Sequence, residues 1–273
     1  MTASGAGEDV ATGLPLRGRR IAVTRPAAEE DEFVAALERF GAEVLVAPLI
    51  LIERPPDPVA LRVAALDAES YDWLVFTSAN AVDQFQAARV EAGVGAWPAG
   101  DVLVCTVGPG TAAAVQRAGG KVDAMPASHV GEAVVGAIAG RGPPRGARIL
   151  FPRAAGARPV VADSLRQAGA MVDEVIAYRT VQDAAGVPEL GLRLARGEVD
   201  VLTFTSGSAV RSFVAALGVD TGRAQVACIG PITGAVAREI GLEVAIEAED
   251  YTTEGLAAAI VRHLKGGTHS GRE

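Results

Sequence analysis

The sequence has 273 residues, a formal net charge of −8 and an isoelectric point near 5.1. This length favours two domains, and the acidic charge makes nucleic acid and anionic lipid poor partners, so we expect neither. No apolar run approaches the ~18 residues that a membrane span needs, and the N-terminus lacks the order of a signal peptide, so we expect a soluble cytoplasmic protein.

Short apolar runs alternate with longer amphipathic segments along the chain. The runs predict ten strands, which in chain order are RIAVT, EVLVAP, WLVFT, VLVCTVG, KVDAMP, RILFP, VDEVIAY, VLTFT, QVACIG and EVAIEA. Their near-continuous Val, Ile and Leu content predicts parallel strands that are buried on both faces. Intervening segments such as EEDEFVAALERFG predict helices that end at glycine. The alternation of strand and helix predicts a doubly wound α/β fold.

The chain also contains an internal repeat, which indicates a duplicated unit. Residues 21–44 align with residues 149–172 at an offset of 128 residues, and residues 74–82 align with residues 202–210 at the same offset. The offset then falls to 122, which aligns residues 107–115 with 229–237 and residues 128–138 with 250–260. Two connections, ERPPDP and TVQDAAGVPE, occupy equivalent places in the two copies. We therefore expect the chain to cross between its domains twice.

Polar residues follow equivalent strands in both copies. Ser78 comes after WLVFT, whose last residue is Thr77, and Ser206 comes after VLTFT. In open parallel sheets, ligands bind at the carboxyl ends of strands, where helix N-termini present free backbone donors. The alternative is that Ser78 and Ser206 only cap the helices that follow them.

Glycine loops follow the next strands. Gly108 to Thr111 read GPGT, and Gly230 to Thr233 read GPIT. Glycine lets a ligand approach the backbone, and the absence of a following lysine argues against a nucleotide phosphate. Thr253 lies at another predicted helix start, and the matching segment 128–132 predicts a solvated loop.

Arg25 and Arg153 end the first strands of the two copies, where a guanidinium can bind a carboxylate bidentately; the alternative is a surface ion pair. Cys105 and Cys228 lie inside apolar runs and predict buried free thiols. No Ser/His/Asp set, metal cluster or acidic dyad is visible in the sequence. The residues therefore predict a two-sided pocket for a ligand that carries several carboxylates or phosphates.

The ordered set FTSANAV, VGPGTA, IAYRTV, FTSGSAV, IGPITGAV and YTTEGLA resembles the uroporphyrinogen-III synthase family over about residues 19–264. The resemblance implies two flavodoxin-like, doubly wound parallel-sheet domains joined by a two-stranded linker. The domains would be residues 17–49 plus 182–266, and residues 54–177, with 1–16 and 267–273 disordered. The resemblance also implies an enzyme of tetrapyrrole biosynthesis that uses no cofactor and no metal. We expect a monomer, because no large apolar helix face demands a partner.

The activity implied by the resemblance is the cyclisation of hydroxymethylbilane, a linear tetrapyrrole with eight carboxylates. Water is lost and ring D is inverted through a spiro intermediate, which gives uroporphyrinogen III. By resemblance, Tyr178 is the catalytic residue that assists the departing hydroxyl, although it could instead only pack at the domain junction. The resemblance assigns substrate binding to Ser78, Thr111, Ser206, Ser208 and Thr233. From their places at strand ends and helix starts, we also expect substrate binding by Arg25, Thr77, Gly108, Arg153, Gly230 and Thr253.

Two other classes of function compete with this interpretation. A non-enzymatic two-domain anion-binding module would share the paired helix N-termini but would not need Tyr178. A flavodoxin-like electron carrier would need an aromatic residue near its phosphate loop, and neither TSANAV nor TSGSAV is followed by one within the loop.

Overall fold

A computed structural model describes residues 13–26, 31–95, 97–98, 100–127 and 133–266. In chain order its elements are β1 (Arg20–Val23), α1 (Glu32–Arg39), β2 (Glu43–Val46), β3 (Ile50–Glu53), α2 (Pro58–Leu66), a 3-10 turn (Ala68–Ser70), β4 (Trp73–Phe76), α3 (Ala79–Glu91), β5 (Leu103–Thr106), α4 (Pro109–Arg117), α5 (Val134–Ala139), β6 (Arg148–Ala154), α6 (Val160–Gln167), β7 (Met171–Gln182), α7 (Val187–Ala195), β8 (Val201–Phe204), α8 (Gly207–Leu217), β9 (Gln225–Cys228), α9 (Pro231–Glu239), β10 (Val244–Glu247) and α10 (Thr253–Gly266).

The chain divides into two compact units. Unit 1 combines the described residues up to Leu49 with those from Ala184 onward, and unit 2 is Ile50–Asp183. The chain therefore passes from unit 1 to unit 2 and back again. The prediction that residues 1–16 are disordered is wrong for Leu16, which is buried in the core of unit 1 and donates its N–H to the backbone oxygen of Phe40 at 2.8 Å. Residues 1–12 and 267–273 lie outside the described residues.

Unit 1 contains a fully parallel sheet of five strands in the order β2-β1-β8-β9-β10. Numbered within the unit, this is the order 2-1-3-4-5 of the flavodoxin-like fold. Ile21 in the middle of the sheet pairs with Val44 on one side and with Val201 on the other. The predicted doubly wound α/β class is thus confirmed for this unit.

Unit 2 contains the sheet β3-β7-β6-β4-β5, in which β3 is antiparallel and the other strands are parallel. The long strand β7 pairs first with β6 and then, through Arg179 to Gln182, with β3. In β4, Leu74 and Phe76 belong to one core cluster and Trp73 and Val75 to another. Both faces of the strand are therefore covered, as its continuous apolar run predicted.

The two units exchange parts of the repeat. Unit 1 takes the first two strands of the first copy, β1 and β2, and the last three of the second copy, β8 to β10. Unit 2 takes β6 and β7 from the second copy and β4 and β5 from the first. Each sheet is therefore completed by strands from both copies, as expected for a chain that crosses twice.

The structure differs from the sequence prediction at two strands. The run KVDAMP is not a strand, because only Ala124 forms an isolated bridge, with Cys105. The Asp123 carboxylate there accepts the backbone N–H of Val104 at 3.1 Å, and Pro126 has no N–H to donate, so a regular ladder does not form. Conversely, β3 lies outside the ten predicted runs, but its antiparallel pairing with the end of β7 agrees with the two-stranded linker that the resemblance implied between residues 49 and 54.

Candidate active site

The carboxyl edge of the sheet in unit 2 brings together two of the predicted site residues. Ser78 is the N-cap of α3, and its Oγ accepts the backbone N–H of Ala81 at 3.2 Å. The hydroxyl oxygen of Tyr178, on β7, lies 3.0 Å from the same Oγ. Tyr178 is only 7% exposed, so Ser78 satisfies a buried phenol that would otherwise be costly to bury.

A bulge in the β6–β7 pairing explains the direction of the Tyr178 side chain. Arg153 pairs with Ile176, whereas Ala154 pairs with Tyr178, so Ala177 is skipped. Ala177 and Tyr178 consequently join the same core cluster, although strict alternation would point them to opposite faces. Bulges commonly re-aim side chains next to functional sites, and this bulge turns the phenol toward Ser78.

The carboxyl edge of unit 1 repeats only half of this arrangement. Ser206 is the N-cap of α8, and its Oγ accepts the N–H of Ala209 at 3.2 Å, as Ser78 does with Ala81. The repeat offset that relates Ser206 to Ser78 relates Tyr178 to Ile50, which has no hydroxyl. Ile50 belongs to unit 2, so the repeat supplies no counterpart of the Tyr178 phenol to the edge of unit 1.

Helices α4 and α9 begin differently, with glycine at the N-cap and proline in the first turn. Neither Gly108 nor Gly230 provides a side-chain cap, so the first-turn N–H groups have no acceptor of that kind. Thr111 and Thr233 lie buried in these first turns. Such helix N-termini are suited to bind a carboxylate, which would act as the missing cap.

Gly230 has a second reason to be glycine. A Cβ atom built at this position would lie 2.7 Å from Cδ1 of Tyr251, so only glycine lets that ring pack against the loop. In contrast, Thr252 caps α10, because its Oγ1 accepts the N–H of Gly255 at 3.0 Å. The cap of α10 is therefore Thr252 rather than the predicted site residue Thr253, whose Oγ1 donates to Glu254 at 3.2 Å.

Both predicted arginines form ion pairs inside their own units. A guanidinium nitrogen of Arg25 lies 3.6 Å from a carboxylate oxygen of Asp31, the N-cap of α1. Nε of Arg153 lies 2.6 Å from Glu174 Oε2, although the two atoms are not aligned as a hydrogen bond. These pairs are the alternative that the sequence left open, and contact of either arginine with a ligand stays a prediction.

The remaining predicted residues lie at the same edges. Thr77 follows β4 and directly precedes Ser78, and Ser208 lies in the first turn of α8; both are half-buried. The segment 128–132, including His129, lies outside the described residues. The thiols of Cys105 and Cys228 are buried, and burial raises the pKa of each to about 12, so neither is poised as a nucleophile.

Among the described residues, no cluster of His, Cys, Asp or Glu could hold a metal ion. In the same part of the chain, none of the helices is long and apolar enough to cross a membrane. The fold and the site together define a duplicated α/β protein with donor-rich helix N-termini at the carboxyl edge of each sheet.

Comparison with known proteins makes this assignment more specific. The family model described as "Uroporphyrinogen-III synthase HemD" matches residues 31–258. The uroporphyrinogen-III synthase of Synechococcus elongatus is 33% identical over 255 residues, which cover 90% of this chain and 96% of that protein. A mutant uroporphyrinogen III synthase from the extremely thermophilic bacterium Thermus thermophilus has a similar fold, with a TM-score of 0.63 at 20% identity over 91% of this chain and 99% of that chain. The chain belongs to the uroporphyrinogen-III synthase family.

Proposed function

We propose that this chain is an active uroporphyrinogen-III synthase, a lyase that converts hydroxymethylbilane into uroporphyrinogen III and water. The observation that carries the proposal is the Ser78–Tyr178 pair, with 3.0 Å between the two oxygen atoms, at the carboxyl edge of a sheet in a member of this family. The predicted domain bounds, the monomeric state and the cytoplasmic location belong to the same proposal.

The substrate carries eight carboxylates, and the protein has a net charge of −8, so local donors must hold it. The uncapped first turns of α4 and α9 supply backbone N–H groups next to Thr111 and Thr233. Ser206 and Ser208 add hydroxyls at the start of α8. Hydrogen bonds from N–H groups at helix N-termini to carboxylates are among the stronger kind, because the acceptor is charged.

The chemical step needs little acid–base catalysis. The C–O bond of the hydroxymethyl group on ring A breaks, and its oxygen leaves as water after it takes a proton. The substituted carbon of ring D attacks the resulting cation to form the spiro intermediate. Fragmentation and reattachment then invert ring D, and loss of a proton gives the product. The protein must chiefly hold the chain so that this closure, rather than direct closure, is within reach.

Tyr178 is the group proposed to assist the departing oxygen. A phenol hydroxyl can donate a hydrogen bond to the leaving hydroxyl. Because the substrate also ionises without help, the Tyr178→Phe variant should keep a reduced activity rather than lose it completely. We expect its kcat to fall about 100-fold, which is the low end of the range for general acid catalysis.

The test is to mix purified protein with freshly prepared hydroxymethylbilane, oxidise the products and separate the porphyrin isomers by chromatography. A predominance of isomer III is the expected result. Formation of isomer I alone, at the rate seen without protein, would refute the enzyme and leave the anion-binding module as the better interpretation.

A further inference from the structure

The hydroxyl of Ser78 serves two partners at once. Its Oγ accepts the N–H of Ala81 at 3.2 Å and lies 3.0 Å from the oxygen of Tyr178. A serine hydroxyl has one proton to donate and two lone pairs that accept. While Oγ accepts from Ala81, its own proton is free to point at the phenol oxygen. In that orientation Tyr178 does not donate its hydroxyl proton to Ser78.

The surroundings of Tyr178 leave it little freedom to find another partner. The side chain is 7% exposed and packs in the core cluster that contains Phe76 and Ala177. The bulge in the β6–β7 pairing fixes its backbone direction. Loss of the Ser78 hydroxyl would therefore leave the phenol oxygen without this hydrogen bond in a largely apolar setting.

We infer that Ser78 is a positioning residue for Tyr178, rather than primarily a carboxylate ligand. Its hydroxyl donates to the phenol oxygen, holds the ring in place and leaves the phenol proton for the departing oxygen of the substrate. The inference rests on the proposed function, because only that reaction gives the phenol proton a destination.

The internal repeat provides a matched control. Ser206 caps α8 with the same 3.2 Å bond that Ser78 makes at α3, so replacing either serine by alanine removes one equivalent helix cap. Ser78 contacts the hydroxyl of Tyr178, whereas the repeat places Ile50, which has no hydroxyl, at the position equivalent to Tyr178. A difference between the two alanine variants therefore reports on the tyrosine and not on capping.

The kinetic experiment is a double-mutant cycle on isomer III formation. We expect Ser78→Ala to lower kcat about tenfold in the native background and less than about twofold when Tyr178 is already phenylalanine. Ser78→Thr, which keeps the hydroxyl, should restore most of kcat. Ser206→Ala should act mainly on KM and combine additively with Tyr178→Phe. If Ser78→Ala instead raises KM alone and is additive with Tyr178→Phe, Ser78 is a carboxylate ligand and the inference is wrong.

A second measurement does not depend on activity. The chain contains three tyrosines, so incorporation of 3-fluorotyrosine gives a simple fluorine NMR spectrum in which Tyr178→Phe identifies the resonance of Tyr178. We expect Ser78→Ala to move that resonance and Ser206→Ala to leave it in place. A resonance that does not respond to Ser78→Ala would overturn the inference. If the native protein made only isomer I, the proposed function would fail, while the spectrum would still decide whether Ser78 holds Tyr178.

Discussion

Arg89, on the helix that Ser78 begins, is a buried cation whose removal should destabilise unit 2 strongly. Its side chain is 1% exposed. Nη1 donates to the backbone oxygen of Ala65 at 2.6 Å, and Nη2 donates to that of Val94 at 3.3 Å. Nη2 also lies 2.6 Å from the half-exposed carboxylate of Glu69. The guanidinium thus ties α3 to the end of α2, to the 3-10 turn and to the loop that follows α3.

The expected magnitude follows from these contacts. Arg89→Met keeps most of the side-chain volume but leaves the Ala65 and Val94 oxygens without their charged donor, at roughly 1.5–3 kcal/mol each. The variant no longer has to remove a charged guanidinium from water, and this gain offsets part of the cost. The ion pair with the exposed Glu69 contributes little. We therefore expect Arg89→Met to lower the free energy of unfolding by about 3 kcal/mol.

The unfolding of unit 2 can be measured separately by tryptophan fluorescence. Both tryptophans, Trp73 and Trp97, lie in unit 2, so tryptophan fluorescence during urea unfolding follows that unit. A loss of about 3 kcal/mol should lower the urea midpoint by about 1–2 M. Arg62→Met, on the exposed side of α2, is the control and should shift the free energy by less than about 0.5 kcal/mol. Equal midpoints for the two variants would refute the reasoning, because the hydrogen bonds of Arg89 would then only balance its desolvation.

Three further predictions concern thiols, backbone packing and acid. At pH 8 the buried thiols of Cys105 and Cys228 should react with a disulfide reagent only as fast as the protein unfolds, because burial raises the pKa of each to about 12. Gly186→Ala should lower the free energy of unfolding by about 1–3 kcal/mol, measured by circular dichroism, because the new Cβ would lie 2.8 Å from the backbone of Ala47. Asp200→Asn should destabilise the protein at pH 7 and progressively less below about pH 4.

The sign for Asp200 follows from its partners. Burial alone would raise the pKa of this carboxyl, but the backbone N–H of Arg20 and the guanidinium of Arg223 outweigh it and lower the pKa. The stabilisation is therefore present above the unfolded pKa and is lost as the pH falls through the folded pKa. An Asp200→Asn penalty that is equal at pH 3 and pH 7 would contradict this account.

For Gly186, the control is Gly136→Ala in α5, where nothing lies within 4 Å of the new Cβ, and a similar loss there would contradict the argument from packing.

The fold was largely predictable because its signals are local and occur twice. Nine of the ten strands predicted from continuous apolar runs are present, and the repeat offset related the strands of one sheet to those of the other. The prediction was wrong at KVDAMP, where the Asp123 carboxylate takes a backbone donor of β5, an interaction that an apolar pattern does not encode. The apolar runs also did not include β3, whose partner lies more than 120 residues away in the sequence, although the resemblance implied a two-stranded linker there.

The candidate site was less predictable than the fold. The helix caps at Ser78 and Ser206 follow from local sequence, and both are present. The contact between Ser78 and Tyr178 joins residues 100 positions apart and depends on a bulge, which no sequence period reveals. Arg25 and Arg153 were placed by the repeat, but their ion pairs with Asp31 and Glu174 depend on neighbours that only the folded chain supplies.

The exchange of strands between the two copies has a consequence for synthesis on the ribosome. Unit 2 is one continuous stretch, so every strand of its sheet has been made once the chain reaches residue 183. The sheet of unit 1 is completed later, because Ile21 of β1 pairs with Val201 of β8, and β9 and β10 come still later in the sequence. Contacts of such long sequence separation form slowly, and β1 and β2 leave the ribosome without their later partners. The unit that holds the serine–tyrosine pair can therefore fold before the remaining strands of the other sheet have left the ribosome.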